Sequence, residues 1–93
     1  MMITHDYRPI KRDNLQKRDL EDGLVLHDQQ TSQVFTLNTT AALIWEYCDG
    51  NTSVEVIAQE LATACNVKKE DMLKDVINII TDFQVKGLLK IES

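Results

Sequence analysis

The spacing of hydrophobic positions changes about two fifths of the way along the chain. Before residue 38, apolar and β-branched residues occur in short runs bounded by polar residues and glycine, which is typical of strands. We predict strands over residues 15–20, 24–28 and 33–37, with a turn at 21–23 and a polar loop at 29–32. Gly23 is expected to give the first turn a positive φ angle. Loops this short favour a three-stranded antiparallel meander.

From Asn38 onward, apolar residues recur at helical spacing, and polar residues mark the helix ends. Asn38 is expected to cap a first helix that ends at Asp49-Gly50-Asn51. Thr52-x-x-Glu55 has the pattern of a capping box for a second helix, which places Cys65 on its apolar face and ends at Asn66. A third helix is predicted from about residue 68 to 86, with Gly87 as its terminator, followed by a short strand over 88–91.

Three strands followed by three helices predict an α+β fold of the winged helix-turn-helix kind. The 93 residues are enough for one domain, which we place at 15–93. Residues 1–14 are polar and contain Pro9, the only proline, so we expect them to form a mobile or loosely docked arm.

Charge is distributed unevenly and argues against a nucleic-acid partner. The chain has a formal net charge of -5, and no lysine or arginine lies between Glu21 and Asn66, where there are seven acids. The predicted third helix carries four lysines and four acids, which is a balance of zero. A DNA reader usually presents a basic stripe, so a winged-helix DNA-binding regulator is the weaker alternative.

Nothing in the sequence points to catalysis, a metal or a cofactor. Cys48 and Cys65 do not form a CxxC pair, and the two histidines lie far from them in sequence, so we expect two small buried thiols. There is no phosphate-cradling glycine loop and no nucleophile–base pair at a recognisable spacing. The sequence also contains no signal-peptide pattern and no apolar run of spanning length. We therefore expect a cytoplasmic protein that is not an enzyme.

Two features favour peptide binding. The third predicted strand, Gln33–Leu37, contains neither charge nor proline, the residues that usually block an open sheet edge. Such an edge is a template for strand addition by an extended peptide, or for a weak or domain-swapped dimer of an otherwise monomeric chain. The apolar face of the third helix is wider than one core contact requires. One border of this face is a candidate groove wall, formed by Val76, Ile79, Ile80 and Phe83.

Asp75 lies near that border and is a solvated acid, a partner for a basic side chain of a bound peptide, or a cap for a nearby backbone amide. Trp45, the only tryptophan, is expected to anchor the core. Glu46, Asp49, Glu55 and Glu60 are expected to form a solvated acidic face. That face also leaves open a third function, a subunit that docks on a modifying enzyme without touching its substrate.

The order and spacing of several short motifs, taken together, resemble the PqqD family, the pyrroloquinoline quinone biosynthesis protein D. The resemblance covers nearly the whole chain. The motifs are Arg8-Pro9, Leu37-Asn38-x-Thr40-Ala41-Ala42-x-Ile44-Trp45, Asp49-Gly50, Thr52-Ser53-Val54, Ile57-Ala58-x-x-Leu61, Asp75-Val76 and Gly87-Leu88-Leu89.

This resemblance implies a recognition element for ribosomally synthesised and post-translationally modified peptides (RiPPs). Such a domain binds the leader segment of a PqqA-like precursor peptide and presents it to a modifying enzyme, such as a PqqE-like radical S-adenosylmethionine enzyme. The pathway would be that of pyrroloquinoline quinone or a related peptide product. By position, the implied leader contacts are Val34, Phe35, Thr36 and Leu37 on the strand and Met72, Asp75, Val76 and Ile79 on the helix.

Overall fold

The structure, a computed structural model, describes residues 3–90. Three strands form one antiparallel sheet in the order β1-β2-β3: β1 spans Leu15–Leu20, β2 Gly23–Asp28 and β3 Gln33–Asn38. Three helices follow: α1 spans Thr39–Glu46, α2 Val54–Cys65 and α3 Lys69–Lys86. The predicted α+β fold, with three strands and then three helices, is confirmed.

The sheet has one face in the core and one face away from it. Leu24, Leu26 and Asp28 alternate along β2 and are all buried, whereas Val25 and His27 between them are only half-buried. The helices cover the buried face, with α1 contacting β2, β3 and α3 while α2 packs against α3. A leucine that moves from water into such a core contributes roughly 1.5–3 kcal/mol, so this alternation fixes which face is covered.

The first helix ends earlier than the sequence indicated. Its C-cap is Tyr47, rather than the predicted stop around Gly50, which has a φ of 81° but lies beyond the helix. The chain leaves the helix because the Cys48 carbonyl accepts a hydrogen bond from the Lys11 amide at 2.8 Å. The Gly50 amide in turn donates to the Pro9 carbonyl at 2.9 Å. These long-range bonds compete with a further helical turn, and the local sequence does not reveal them.

The second helix begins one residue later than the predicted capping box. Ser53 is the N-cap, and its hydroxyl accepts from the Val56 amide at 3.2 Å. The Thr52 hydroxyl instead donates to the Asp49 carboxylate at 3.1 Å, so it serves the preceding turn. The predicted stops of α2 and α3 are confirmed, because Asn66 and Gly87 both have left-handed backbone conformations.

Gly23 is required for space rather than for a positive φ angle. The glycines with positive φ in the described residues are Gly50 and Gly87, so the expected left-handed turn at Gly23 is wrong. A Cβ atom at Gly23 would lie 2.0 Å from the carbonyl oxygen of Leu37 on β3. Only a residue without a side chain allows the two strands to approach this closely.

The segment that precedes β1 is hydrogen-bonded both to the connection between α1 and α2 and to the residues that follow α3. Pro9 is buried, and the carbonyls of Tyr7 and Pro9 accept from the amides of Val54 and Gly50. Further along the segment, the Arg12 amide donates to the Leu88 carbonyl at 3.1 Å. The described part of the predicted arm, residues 3–14, therefore lies along the α1–α2 connection and the C-terminal residues.

The predicted final strand, residues 88–91, is reduced to a single bridge between Leu89 and Lys11. Ile91 lies outside the described residues. The bridge is isolated because the facing segment runs alongside it only briefly: the Lys90 amide donates to the Ile10 carbonyl at 2.8 Å, and the chain then turns into β1.

The expectation of two buried thiols is correct for Cys48 and wrong for Cys65. Cys48 is fully buried, whereas Cys65 is exposed. Cys65 follows Leu61 by one turn, as the helical period requires, but it is the last residue of α2. Helical spacing predicts which face a residue shares, and it does not predict how far the neighbouring helix extends to cover that face.

Candidate functional site

The outer strand β3 is the first wall of the candidate site. Across the described residues, 3–90, β3 pairs with β2 along one edge, and no other strand joins its second edge. Its first five residues, 33–37, contain no proline and no charged side chain. The outward amide and carbonyl groups of this edge are the kind of template that an extended peptide can join.

The register with β2 assigns the side chains of β3 to two faces. Phe35 and Leu37 pair with the buried leucines of β2 and so lie on the core face, where Phe35 is half-buried and Leu37 is 4% exposed. Val34 and Thr36 lie on the opposite face and are exposed, Val34 at 61%. A strand added here would therefore place alternate side chains beside Phe35 and beside Val34.

The third helix supplies the candidate second wall, but most of its predicted contacts belong to the core. The buried members are Met72, Val76, Ile80 and Phe83, each no more than 6% exposed. Ile79 is half-buried, and Asp75 is exposed. Of the six predicted helix positions, Ile79 and Asp75 offer most of the accessible surface, and the other four form the layer beneath it.

An ion pair at the end of the sheet was missed by the sequence analysis. Asp28 is 4% exposed and is the buried charged side chain of the described residues. Its Oδ2 accepts from the Arg12 guanidinium at 2.5 Å, and its Oδ1 accepts from the Gln30 amide at 3.0 Å. The hydrogen bond from Arg12 is the main reason why the pKa of the Asp28 carboxyl lies below its ordinary value.

A signal for this pair was present in the sequence. Asp28 follows Leu24 and Leu26 at the strand period of two, so its side chain faces the core. A carboxylate in that position needs a cation or several hydrogen bonds. The identity of the partner was not predictable, because Arg12 lies in a segment without periodicity.

The expected acidic face is partly neutralised by cations from elsewhere in the chain. Glu46 accepts from Lys17 at 3.1 Å, and Glu55 accepts from Lys69 at 2.9 Å, which lowers the pKa of Glu55. Trp45 is 6% exposed, as expected of a core anchor, and the Lys11 ammonium lies 5.2 Å from the centroid of its ring. These pairs leave less free negative charge around α1 and α2 than the sequence suggested.

Three features of the described residues bear on their chemistry and surroundings. No group of three or more His, Cys, Asp or Glu side chains in residues 3–90 is arranged to hold a metal ion. Burial raises the pKa of the Cys48 thiol to about 12, which keeps it protonated and unreactive at neutral pH. In the same part of the chain, no helix is both long enough and apolar enough to cross a bilayer.

Comparison with known proteins agrees with this architecture. The family model of coenzyme PQQ synthesis protein D (PqqD) matches residues 23–89, from the start of β2 to the bridge at Leu89. No curated protein matches the chain.

Two solved structures share the fold. One is a lasso peptide synthetase B1 complexed with the leader peptide. The synthetase chain is 25% identical to this chain with a TM-score of 0.79, and the match covers 91% of this chain and 100% of the synthetase chain. The other is TbiB1 in complex with the TbiA(beta) leader peptide, with 20% identity and a TM-score of 0.78. That match covers 90% of this chain and 98% of the TbiB1 chain.

Proposed function

The chain belongs to the PqqD family, and from that premise we propose that it binds the leader segment of a ribosomally synthesised precursor peptide. In this proposal the leader joins the sheet as a fourth strand beside β3, and its inward side chains pack against α3. The protein itself does no chemistry. It presents the peptide in the cytoplasm to a modifying enzyme, such as a radical S-adenosylmethionine enzyme.

The observation that carries the proposal is the second edge of β3. It carries no charged side chain over residues 33–37, and in the described residues no strand occupies it. Support also comes from the two structural neighbours, because both are complexes with leader peptides. Backbone hydrogen bonds along such an edge supply affinity, while the alternating side chains supply selectivity.

On the helix side, the proposed contacts are layered. We propose that Asp75, which is exposed, and Ile79, which is half-buried, touch the peptide directly, while the buried side chains of Met72, Val76, Ile80 and Phe83 support them. On β3, Phe35 and Leu37 face the same side as the core, and Val34 and Thr36 face the other side.

A DNA-binding function is disfavoured by the ion pairs of α3. Two of its lysines are already engaged, Lys69 with Glu55 and Lys86 with Asp82. Over Lys69–Lys86 the helix has three lysines and four acids, a balance of -1 before these pairs are considered. DNA binding draws on free lysines and arginines that neutralise phosphates and so release the counterions condensed on the DNA, and α3 offers few such side chains.

The proposal is tested by calorimetric titration with the leader peptide of a precursor encoded beside the gene. Ile79→Asp places a charge in the apolar groove and should weaken binding at least tenfold, because a carboxylate must be desolvated against the peptide. Val85→Asp is the matched control: Val85 is on the same helix but is 82% exposed, so its variant should bind within about twofold of the wild type.

Equal affinity of the Ile79→Asp variant and the wild type would contradict the groove on α3. No binding by the wild type to any leader encoded nearby would contradict the proposed function itself.

A further inference from the structure

One arginine side chain connects the end of β2, the strand that pairs with β3, to the end of α3. The Arg12 Nη2 donates to the Asp28 carboxylate at 2.5 Å, and its Nη1 donates to the Gly87 carbonyl at 2.9 Å. Its backbone amide donates to the Leu88 carbonyl at 3.1 Å. Arg12 is therefore fixed by three contacts to two different elements.

These two elements are the end of β2 and the end of α3. Asp28 is the last residue of β2, and its Cα partner across the ladder is Gln33, the first residue of β3. Gly87 is the C-cap of α3. One planar guanidinium thus joins the strand that pairs with β3 to the C-terminal end of α3.

The chemistry of this bridge requires arginine. A guanidinium presents several N–H donors in a rigid plane and can serve a carboxylate and a carbonyl at a fixed angle. A lysine ammonium is a single point of charge on a flexible chain. The second oxygen of Asp28 is held by the Gln30 amide, so the bridge also fixes the turn that leads into β3.

We propose that Arg12 is a positioning residue for peptide binding, because it sets the separation between β3 and the C-terminal end of α3. This inference rests on the proposed function. It assigns a role in recognition to the segment before β1, which itself contributes no strand to the sheet. Arg12 acts through the geometry of the walls, so its loss should change groove width and affinity more than it changes the fold.

The separation between β3 and the C-terminal end of α3 is measured without any ligand by electron paramagnetic resonance. Nitroxides are attached at Gln33→Cys and Val85→Cys in a Cys65→Ser background, in which the remaining Cys48 is buried. Val85 is 82% exposed, and Gln33 is exposed. With Arg12→Lys we expect a broader distance distribution, displaced by about 3 Å, the length of one hydrogen bond. An unchanged distribution would overturn the proposal.

Affinity is then measured with a synthetic peptide of the leader encoded beside the gene. Arg12→Lys should weaken binding about tenfold, whereas Asp13→Asn should bind within about twofold of the wild type. Asp13 is the matched control because it forms an exposed ion pair with Lys90 at 2.8 Å in the same segment. If Arg12→Lys does not fold, Asp28→Asn, which keeps the shape of the side chain, is measured instead with the same expectation.

The outcomes separate this inference from the proposed function. Tight binding by both the wild type and Arg12→Lys would overturn the role of Arg12 and leave the proposed function standing. If the wild type does not bind the leader peptide, both the role of Arg12 and the proposed function are refuted. Weaker binding by Arg12→Lys with an altered distance distribution, and binding by Asp13→Asn within about twofold of the wild type, would support both the role of Arg12 and the proposed function.

Discussion

Replacing Gly23 by alanine should force β2 and β3 apart at the point where β3 passes into α1. The new Cβ would lie 2.0 Å from the Leu37 carbonyl oxygen and 3.3 Å from the Cα of Asn38. An ordinary contact of this kind is about 3.4 Å, so the backbone must retreat by about 1.4 Å. No rotamer change relieves the clash, because both the added methyl group and the oxygen are fixed by the backbone.

The expected cost combines two effects. Overpacking at a site that cannot rotate away costs about 1–3 kcal/mol. Asn38 accepts from the Ala41 amide at 2.9 Å and so caps α1, and disturbing this cap costs about 1 kcal/mol. Together they amount to about 2–4 kcal/mol, a large fraction of the stability of a small domain.

The measurement is urea unfolding followed by circular dichroism, with Gly50→Ala as the control. At Gly50 the new Cβ would lie 2.9 Å from Ile10 Cγ1, a side-chain atom that can move. The remaining cost there is the φ of 81°, about 1–2 kcal/mol. Gly23→Ala should therefore be the more destabilising variant. If it costs no more than Gly50→Ala, the close approach of the strands at Gly23 is refuted.

Three further predictions concern single side chains. Arg12 lowers the pKa of Asp28, so this carboxylate stabilises the fold above the unfolded value of about 3.9, and the effect is lost as pH falls through the lower folded pKa. Asp28→Asn should remove this part of the acid dependence of unfolding, measured by circular dichroism. A thiol reagent at neutral pH should label Cys65 in the folded protein and Cys48 only after unfolding, as read by mass spectrometry. Ser53→Ala should lower the free energy of unfolding by about 1 kcal/mol in urea, because α2 loses its side-chain cap.

Each of these has a clear contrary result. An identical acid dependence in Asp28→Asn would show that the ion pair does not contribute in the folded state. Labelling of Cys48 at the rate of Cys65 would contradict its burial. An unchanged urea midpoint for Ser53→Ala would place the start of α2 elsewhere.

The strands and most helix ends were predictable because their causes are local. Alternation along β2 and the β-branched run of β3 give the strands, and Asn66 and Gly87, which adopt left-handed backbone conformations, end α2 and α3. The end of α1 was not predictable, because it depends on hydrogen bonds from the segment around Pro9, some 40 residues earlier.

The candidate site was predictable to a similar extent. An uncharged outer strand is visible in the sequence, since it needs only the absence of blocking residues from 33–37. Which face of α3 remains accessible depends on how α1 and α2 pack, so the sequence could not separate half-buried Ile79 from fully buried Ile80. Arg12 was missed for the same reason, because its partners come together only in the folded chain.

The most direct test of strand addition is an NMR titration of isotope-labelled protein with the leader peptide of a precursor encoded beside the gene. The account predicts intermolecular backbone contacts between the peptide and the amides of residues 33–37, with the largest shift changes there and along 72–83. Shift changes confined to α1 and α2, with no contact to β3, would contradict it.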